Sequence, residues 1–161
     1  MLVRLTAIAG ALLLLVACSS STPAPEGAGG VGAGGLGGAS RFGPGSQQDL
    51  AATAGDRIFF AYDRADISSE SQQILQRQAD WLKRYGNVAV TIEGHCDERG
   101  TREYNLALGE RRATAAKNVL VALGIPASRV STISYGKERP AVPGSSEEAW
   151  AQNRRAVTTV N

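Results

Sequence analysis

The chain is poor in the groups from which most active sites are assembled. Its 161 residues include one histidine and two cysteines. His95, Cys96, Asp97 and Glu98 stand side by side, yet zinc asks for converging ligands, and contiguous residues rarely meet on one ion. A Cys96 nucleophile with His95 as its base fails on geometry, because neighbours on an extended segment point to opposite sides. No metal site, cofactor site or hydrolase constellation is therefore expected. The formal charge is only +2, which gives no electrostatic footprint for nucleic acid or an anionic membrane surface. The apolar run Ala7 to Val16 falls short of the ~20 residues that span a bilayer.

That run has another reading. With Arg4 ahead of it, it matches the apolar region of a secretory signal over residues 1–17, and it ends in Leu15-Val16-Ala17-Cys18. An ordinary signal peptide with a cysteine near its cleavage site is one possibility. A bacterial lipobox is the favoured one, with cleavage before Cys18, a diacylglycerol on its sulfur and an acyl group on the new amino terminus. Several chains at ~0.8 kcal/mol per buried methylene anchor stably where one does not. Ser19 rather than Asp follows the cysteine, which by resemblance to lipoprotein sorting favours the outer membrane. Export would permit disulfides, but lipidation consumes Cys18. Cys96 is then left without an intramolecular partner and is expected to be shielded in or near the core.

Residues 18–48 are mostly Ser, Pro, Ala and Gly, with GAGGVGAGGLGG at their centre. Apolar periodicity is missing and glycine is costly to order, so a disordered tether is expected. A linker of roughly 30 residues has a root-mean-square span of ~30 Å. It either lets an anchored domain sample a nearby layer or merely holds it off the membrane.

Residues 49–161 form the expected domain, with regular structure starting near Arg57. Ile58, Phe60 and Tyr62 alternate with Phe59 and Ala61 as a strand. Ser68 or Ser69 caps a helix burying Ile74, Leu75, Trp81, Leu82 and Tyr85, with Gly86 placed as its closing glycine. Val88, Val90 and Ile92 give a second strand. A long helix opens near Thr101 and closes at Gly124. A third strand covers Val130 to Tyr135, a helical turn contains Glu147 and Trp150, and a last strand covers Ala156 to Val160. This order predicts an α/β sandwich, a mixed sheet of about four strands with two long helices on one face.

Function is expected in TIEGHCDERGTREYNLALGERRA, residues 91–113. A strand end is read as running into a turn at Gly94 to Asp97, then a polar loop and the long helix. Leu108, Ala116, Val119 and Leu123 fix the inner face of that helix. Asn105 and Arg112 share it, whereas Arg111 points away. A guanidinium on the inner side needs an anion because it cannot shed its charge, and Asp97 is the nearest candidate. The two either form a permanent internal bridge or face each other across a receptor for a small zwitterion. His95 reads as a structural imidazole bonding the loop backbone, and Glu98 and Arg99 as solvated loop charges.

The segments EGHCDERGT, EYNLALGERRA, SYGKERP and QNRRAV together resemble the OmpA-like C-terminal domain family over roughly residues 57–161. Gly109, where the wider family usually has Ser, and SYGKERP favour its peptidoglycan-associated lipoprotein branch. The resemblance implies a non-enzymatic domain that binds meso-diaminopimelate in peptidoglycan stem peptides. By motif position, Asp97 would receive the ammonium of that residue and Arg112 its carboxylate. Asn105 and Leu108 would complete the wall, Phe60, Tyr62 and Asp63 the rim, and Arg154 would flank it. It also implies an outer-membrane lipoprotein facing the periplasm within the Tol–Pal system of envelope constriction, with TolB as a partner at an overlapping surface. A related lipoprotein that binds wall but not TolB, and a wall hydrolase, are the rival readings.

Overall fold

The computed structural model describes residues 42–161. The secretory signal, the lipidation at Cys18 and the tether up to residue 41 lie outside the described residues.

Regular structure begins ten residues earlier than the strand pattern suggests. Ser46 caps helix α1 (Gln47–Thr53), its hydroxyl accepting the Asp49 N–H at 3.2 Å. Leu50 is fully buried, and Trp81 donates its indole N–H to Asp49 Oδ2 at 3.0 Å. The Gln47 side chain brackets the carboxyl-terminal strand, donating to Thr158 O at 3.1 Å and accepting from Val160 N at 2.8 Å. A helix this short holds by tertiary contacts rather than propensity, so periodicity could not reveal it.

Strand β1 (Arg57–Phe59) is shorter than expected. Phe60 N still donates to Arg154 O at 2.9 Å, but Asp63 takes a φ of 56° and the chain turns out of the sheet before Tyr62 can join it. Helix α2 (Ser69–Arg84) starts from Ser68, whose hydroxyl accepts the Ser71 N–H at 3.1 Å. Leu75, Ala79, Trp81 and Leu82 form its buried stripe, with Ile74 and Tyr85 partly buried beside them. Gly86 does not close it in a left-handed conformation, contrary to expectation. Arg129 serves that end instead, its guanidinium donating to the carbonyls of Leu82, Tyr85 and Val88, so it pairs part of what the last turn leaves open.

Strand β2 (Val90–His95) runs two residues further than Glu93, so Gly94 and His95 belong to the sheet and not to a turn. Helix α3 (Arg102–Ala122) is capped by Thr101, and after Leu123 the chain turns at Gly124, φ 95°. A 3₁₀ turn, Ala127–Arg129, leads into β3 (Val130–Gly136). Helix α4 (Glu147–Asn153) and strand β4 (Arg155–Val160) finish the chain. The sheet order is β1-β4-β2-β3. β2 and β3 are parallel, as a helical crossover requires, and β4 lies antiparallel between β1 and β2. Ile58, Val90, Ile92, Val130 and Ala156 meet the helices in a single core, while Phe59 and Ile133 stay exposed.

The seam between α3 and the sheet is set by two glycines. A Cβ on Gly94 would stand 1.9 Å from Gly109 O, and one on Gly109 would stand 2.3 Å from Ser134 Oγ and 2.9 Å from Gly94 O. Alanine is the better helix former by ~1 kcal/mol, but crowding decides the sign here. Gly109→Ala is expected to lower stability by about 1–3 kcal/mol, and Ser134→Ala, which removes the nearest atom, should restore part of it. Thermal melts of both single variants and the double variant check this; equal losses with and without Ser134→Ala would refute it.

Candidate functional site

The end of β2, the loop after it and the first half of α3 enclose a cavity of about 90 Å³, room for several waters or one small charged end group. Tyr62, Asp63, Asp97, Asn105, Leu108 and Arg112 all line it, joined by Cys96, Arg99, Gly100 and Tyr104. Six of the eight expected binding residues therefore share one space. Phe60 and Arg154 do not reach it and stand behind its walls.

Helix phase explains the inner wall. Asn105, Leu108, Arg112 and Ala116 are buried along one face of α3, and Arg111 is exposed, 5.8 Å from the Tyr104 ring. Asn105 fastens the loop, its amide donating to Arg99 O at 2.8 Å and Thr101 O at 3.0 Å. Cys96 is buried, and its thiol donates to Asn105 O at 3.3 Å; burial pushes that thiol's pKa up. The shielded thiol matches expectation.

Arg112 is 0% exposed, the floor of the cavity. Its Nε donates to Arg64 O at 2.8 Å, Nη1 to His95 O at 2.8 Å and Nη2 to Ala61 O at 3.1 Å. The Phe60 ring lies 5.1 Å from the guanidinium carbon. Of the two arrangements open for Asp97 and Arg112, the direct bridge is not formed; among the described residues Arg112 forms no ion pair. A guanidinium has five N–H donors and three are spent on carbonyls, leaving one on each terminal nitrogen, with the Cys96 sulfur close beside the group. Donors of this kind are what a carboxylate accepts. Burial draws this group's pKa down and the nearby negative groups oppose that, yet a guanidinium stays charged in any protein.

Asp97 finds its partners elsewhere. Arg99 Nη2 contacts its Oδ2 at 2.6 Å and Arg99 Nε its Oδ1 at 3.1 Å, while Arg154 Nη1 stands 3.4 Å from Oδ2. Burial favours the neutral acid, but the side-chain and backbone hydrogen bonds from Arg99, followed by Arg154, outweigh it and hold the carboxyl below its ordinary range. Arg154 is itself braced by Phe60 O at 3.1 Å and Glu147 Oε1 at 2.7 Å. Arg99 is thus no bland loop charge. Its guanidinium lies 4.0 Å from the centre of the Tyr62 ring and 4.0 Å from that of Trp150, closing one side of the mouth. The signal for it was Asp97 two residues ahead, an Asx-turn whose carboxylate takes the Arg99 N–H. On the other side the Tyr104 hydroxyl bonds the Asp63 carboxylate.

His95 is corrected as well. Its imidazole is 2% exposed and neither ring nitrogen has a partner at full hydrogen-bond geometry among the described residues, the Arg139 backbone lying near enough only to oppose part of the loss of basicity; Glu93 Oε2 stands 3.6 Å from Nε2. It is the residue's carbonyl, on Arg112, that binds. Burial first, and the Arg155 charge second, lower the imidazole pKa from 6.5 to about 4. The unfolded chain takes this proton below about pH 6.5 and the folded chain does not until about pH 4, so stability falls as pH drops through that window. We expect up to about 3 kcal/mol from this group, a slope in denaturant midpoint against pH that His95→Gln flattens.

Comparison with known proteins follows the same lines. The profile of the OmpA family matches residues 59–154. The peptidoglycan-associated lipoprotein of Agrobacterium fabrum is 55% identical over 92% of this chain and 82% of its own. That of Brucella melitensis is 51% identical over 92% and 86%. The crystal structure of the peptidoglycan-associated lipoprotein from Burkholderia pseudomallei is similar with a TM-score of 0.64 at 40% identity, covering 66% of this chain and 90% of that one. A mixed four-stranded sheet carrying helices, a family profile matching residues 59–154 and identity of this extent have one reading: the chain belongs to the OmpA family and, within it, to the peptidoglycan-associated lipoproteins.

Proposed function

We propose that this chain is a non-enzymatic outer-membrane lipoprotein that grips peptidoglycan without a covalent bond, by taking the free end of meso-diaminopimelate from a stem peptide into the cavity. The observation that carries the reading is the state of Arg112: a buried cation at the floor of a cavity, with no carboxylate of its own and two donors left to give. A ligand carboxylate supplies the missing charge and accepts both donors. The ligand ammonium then lies toward Asp97, between Asn105 and Leu108 on the helix side and Tyr62 and Asp63 at the rim. Lipidation at Cys18 fastens the other end to the outer membrane, with the domain in the periplasm. Membership of the Tol–Pal system, with TolB engaging a surface that overlaps the cavity, belongs to the same reading and rests on the resemblance of the motifs.

Crosslinking turns the side-chain amine of diaminopimelate into an amide and adds bulk, so a small cavity favours uncrosslinked stems. The test is calorimetry of the full chain in detergent with a stem tripeptide ending in diaminopimelate, beside one ending in lysine. Lysine lacks the second carboxylate, so it should bind more weakly by about 2–5 kcal/mol, the cost of leaving a desolvated charge unmatched. Asp97→Ala should weaken the diaminopimelate peptide, while Arg111→Ala, on the outer face, should change little. Equal affinity for the two peptides, or equal losses at 111 and 97, would refute the assignment.

A further inference from the structure

The carboxylate that would receive the ligand ammonium already holds a cation, and this has a bearing on selectivity. Resting on the wall-binding reading above, we infer that Arg99 is the resident counter-ion of Asp97, which competes with the ligand amine and sets how far the cavity discriminates stems by that amine. Two arginines touch Asp97, and they differ in freedom. The Arg154 side chain is 9% exposed and clamped between Phe60 O and Glu147. Arg99 is 28% exposed, reaches Asp97 from only two residues away, and makes the shorter contact, 2.6 Å against 3.4 Å. Arg99 is therefore the partner that an incoming amine meets and can move.

Displacement leaves Arg99 well placed. Its guanidinium lies over the faces of Tyr62 and Trp150, both at 4.0 Å, and Glu147 Oε2 is 3.8 Å from its Nη1. Stacking and that second carboxylate hold the side chain at the mouth after Asp97 is given up. The exchange of one cation for another at Asp97 is thus close to even. Filling Arg112 is different, because no resident anion has to leave. The ligand-free site is poised to recognise a carboxylate strongly and an amine weakly, and Arg99 is the residue that makes the second term weak. Removing its charge leaves Asp97 with Arg154 alone, and the ligand amine then gains a carboxylate it previously had to contest.

The experiment compares two stem tripeptides on the full chain in detergent, one with the diaminopimelate side-chain amine free and one with it N-acetylated. The readout is the ratio of their affinities, in which the bulk of the acetyl group cancels between protein variants. Arg99→Gln is expected to raise that ratio by about tenfold over the unaltered chain, the size of one contested charge-assisted contact. Arg99→Lys keeps a cation but loses the fork, and should fall between them; it also serves should the glutamine variant prove unstable. An unchanged or lower ratio in either variant overturns the inference, even if both peptides bind more weakly. Failure of the unaltered chain to bind either peptide overturns the wall-binding reading and this inference with it.

Discussion

Arg112→Lys is expected to lose diaminopimelate-stem binding by a hundredfold or more, a change of about 3 kcal/mol, while leaving the formal charge of the chain untouched. The guanidinium serves two sets of partners at once. Three donors tie together Ala61 and Arg64 from the turn after β1 and His95 from the end of β2, and two remain for the ligand. An ammonium has three donors in all and no planar fork. It either satisfies the carbonyls and has nothing for the ligand, or turns to the ligand and orphans a buried carbonyl at about 1–3 kcal/mol. Binding and folding should therefore suffer together, read by titration and by chemical denaturation of the same variant. Arg112→Lys with native stability and native affinity would show that the three carbonyl contacts are incidental. The loss at Arg112 should exceed that at Asp97, because Asp97→Ala still leaves Arg99 and Arg154 partly satisfied by Glu147.

The second large effect is at Gly94. A methyl group there would stand 1.9 Å from the carbonyl oxygen and 2.5 Å from the carbonyl carbon of Gly109. Those are backbone atoms in the middle of α3, and no rotamer change relieves them. The helix has to lift from β2 and β3, opening the core between Ala113, Ala116 and Ile92 and unseating the floor of the cavity. Gly94→Ala is expected to cost about 3 kcal/mol or more, a shift in melting temperature larger than that of Gly109→Ala, whose nearest obstacle is a serine hydroxyl. Retained stability at Gly94→Ala would mean that the spacing of α3 from the sheet is looser than the two glycines imply.

These two positions also show what the sequence displayed and what it hid. The burial of Arg112 was legible from helix phase, since Leu108, Ala116 and Arg112 fall on one stripe, and the motifs around it carried the family. The partners of that guanidinium were not legible, because backbone carbonyls have no letter in a sequence. The same limit hid the buried His95 ring behind its bonding carbonyl. Arg99 was passed over for another reason: loop charges are usually solvated, and the aromatic rings that hold this one come from 37 residues before it and 51 after it. Strands and long helices followed from periodicity, whereas α1, which lacks an amphipathic repeat, depends on Trp81 and the last strand for its place. Phe60 and Arg154 stand behind the cavity wall and do not line it.

Strand β4 carries a mechanical implication. Arg154, just before its first residue, is fastened to Asp97, and toward its other end the Gln47 amide donates to Thr158 O and accepts from Val160 N. With a ligand held in the cavity as proposed, tension between it and the amino-terminal side would run lengthwise along one strand. That strand is flanked by β1 on one side and β2 on the other, and antiparallel ladder bonds lie across the direction of pull. They are loaded in shear, many at once, rather than peeled open in succession, which gives the domain the build of a fastener that resists stretching along its own axis.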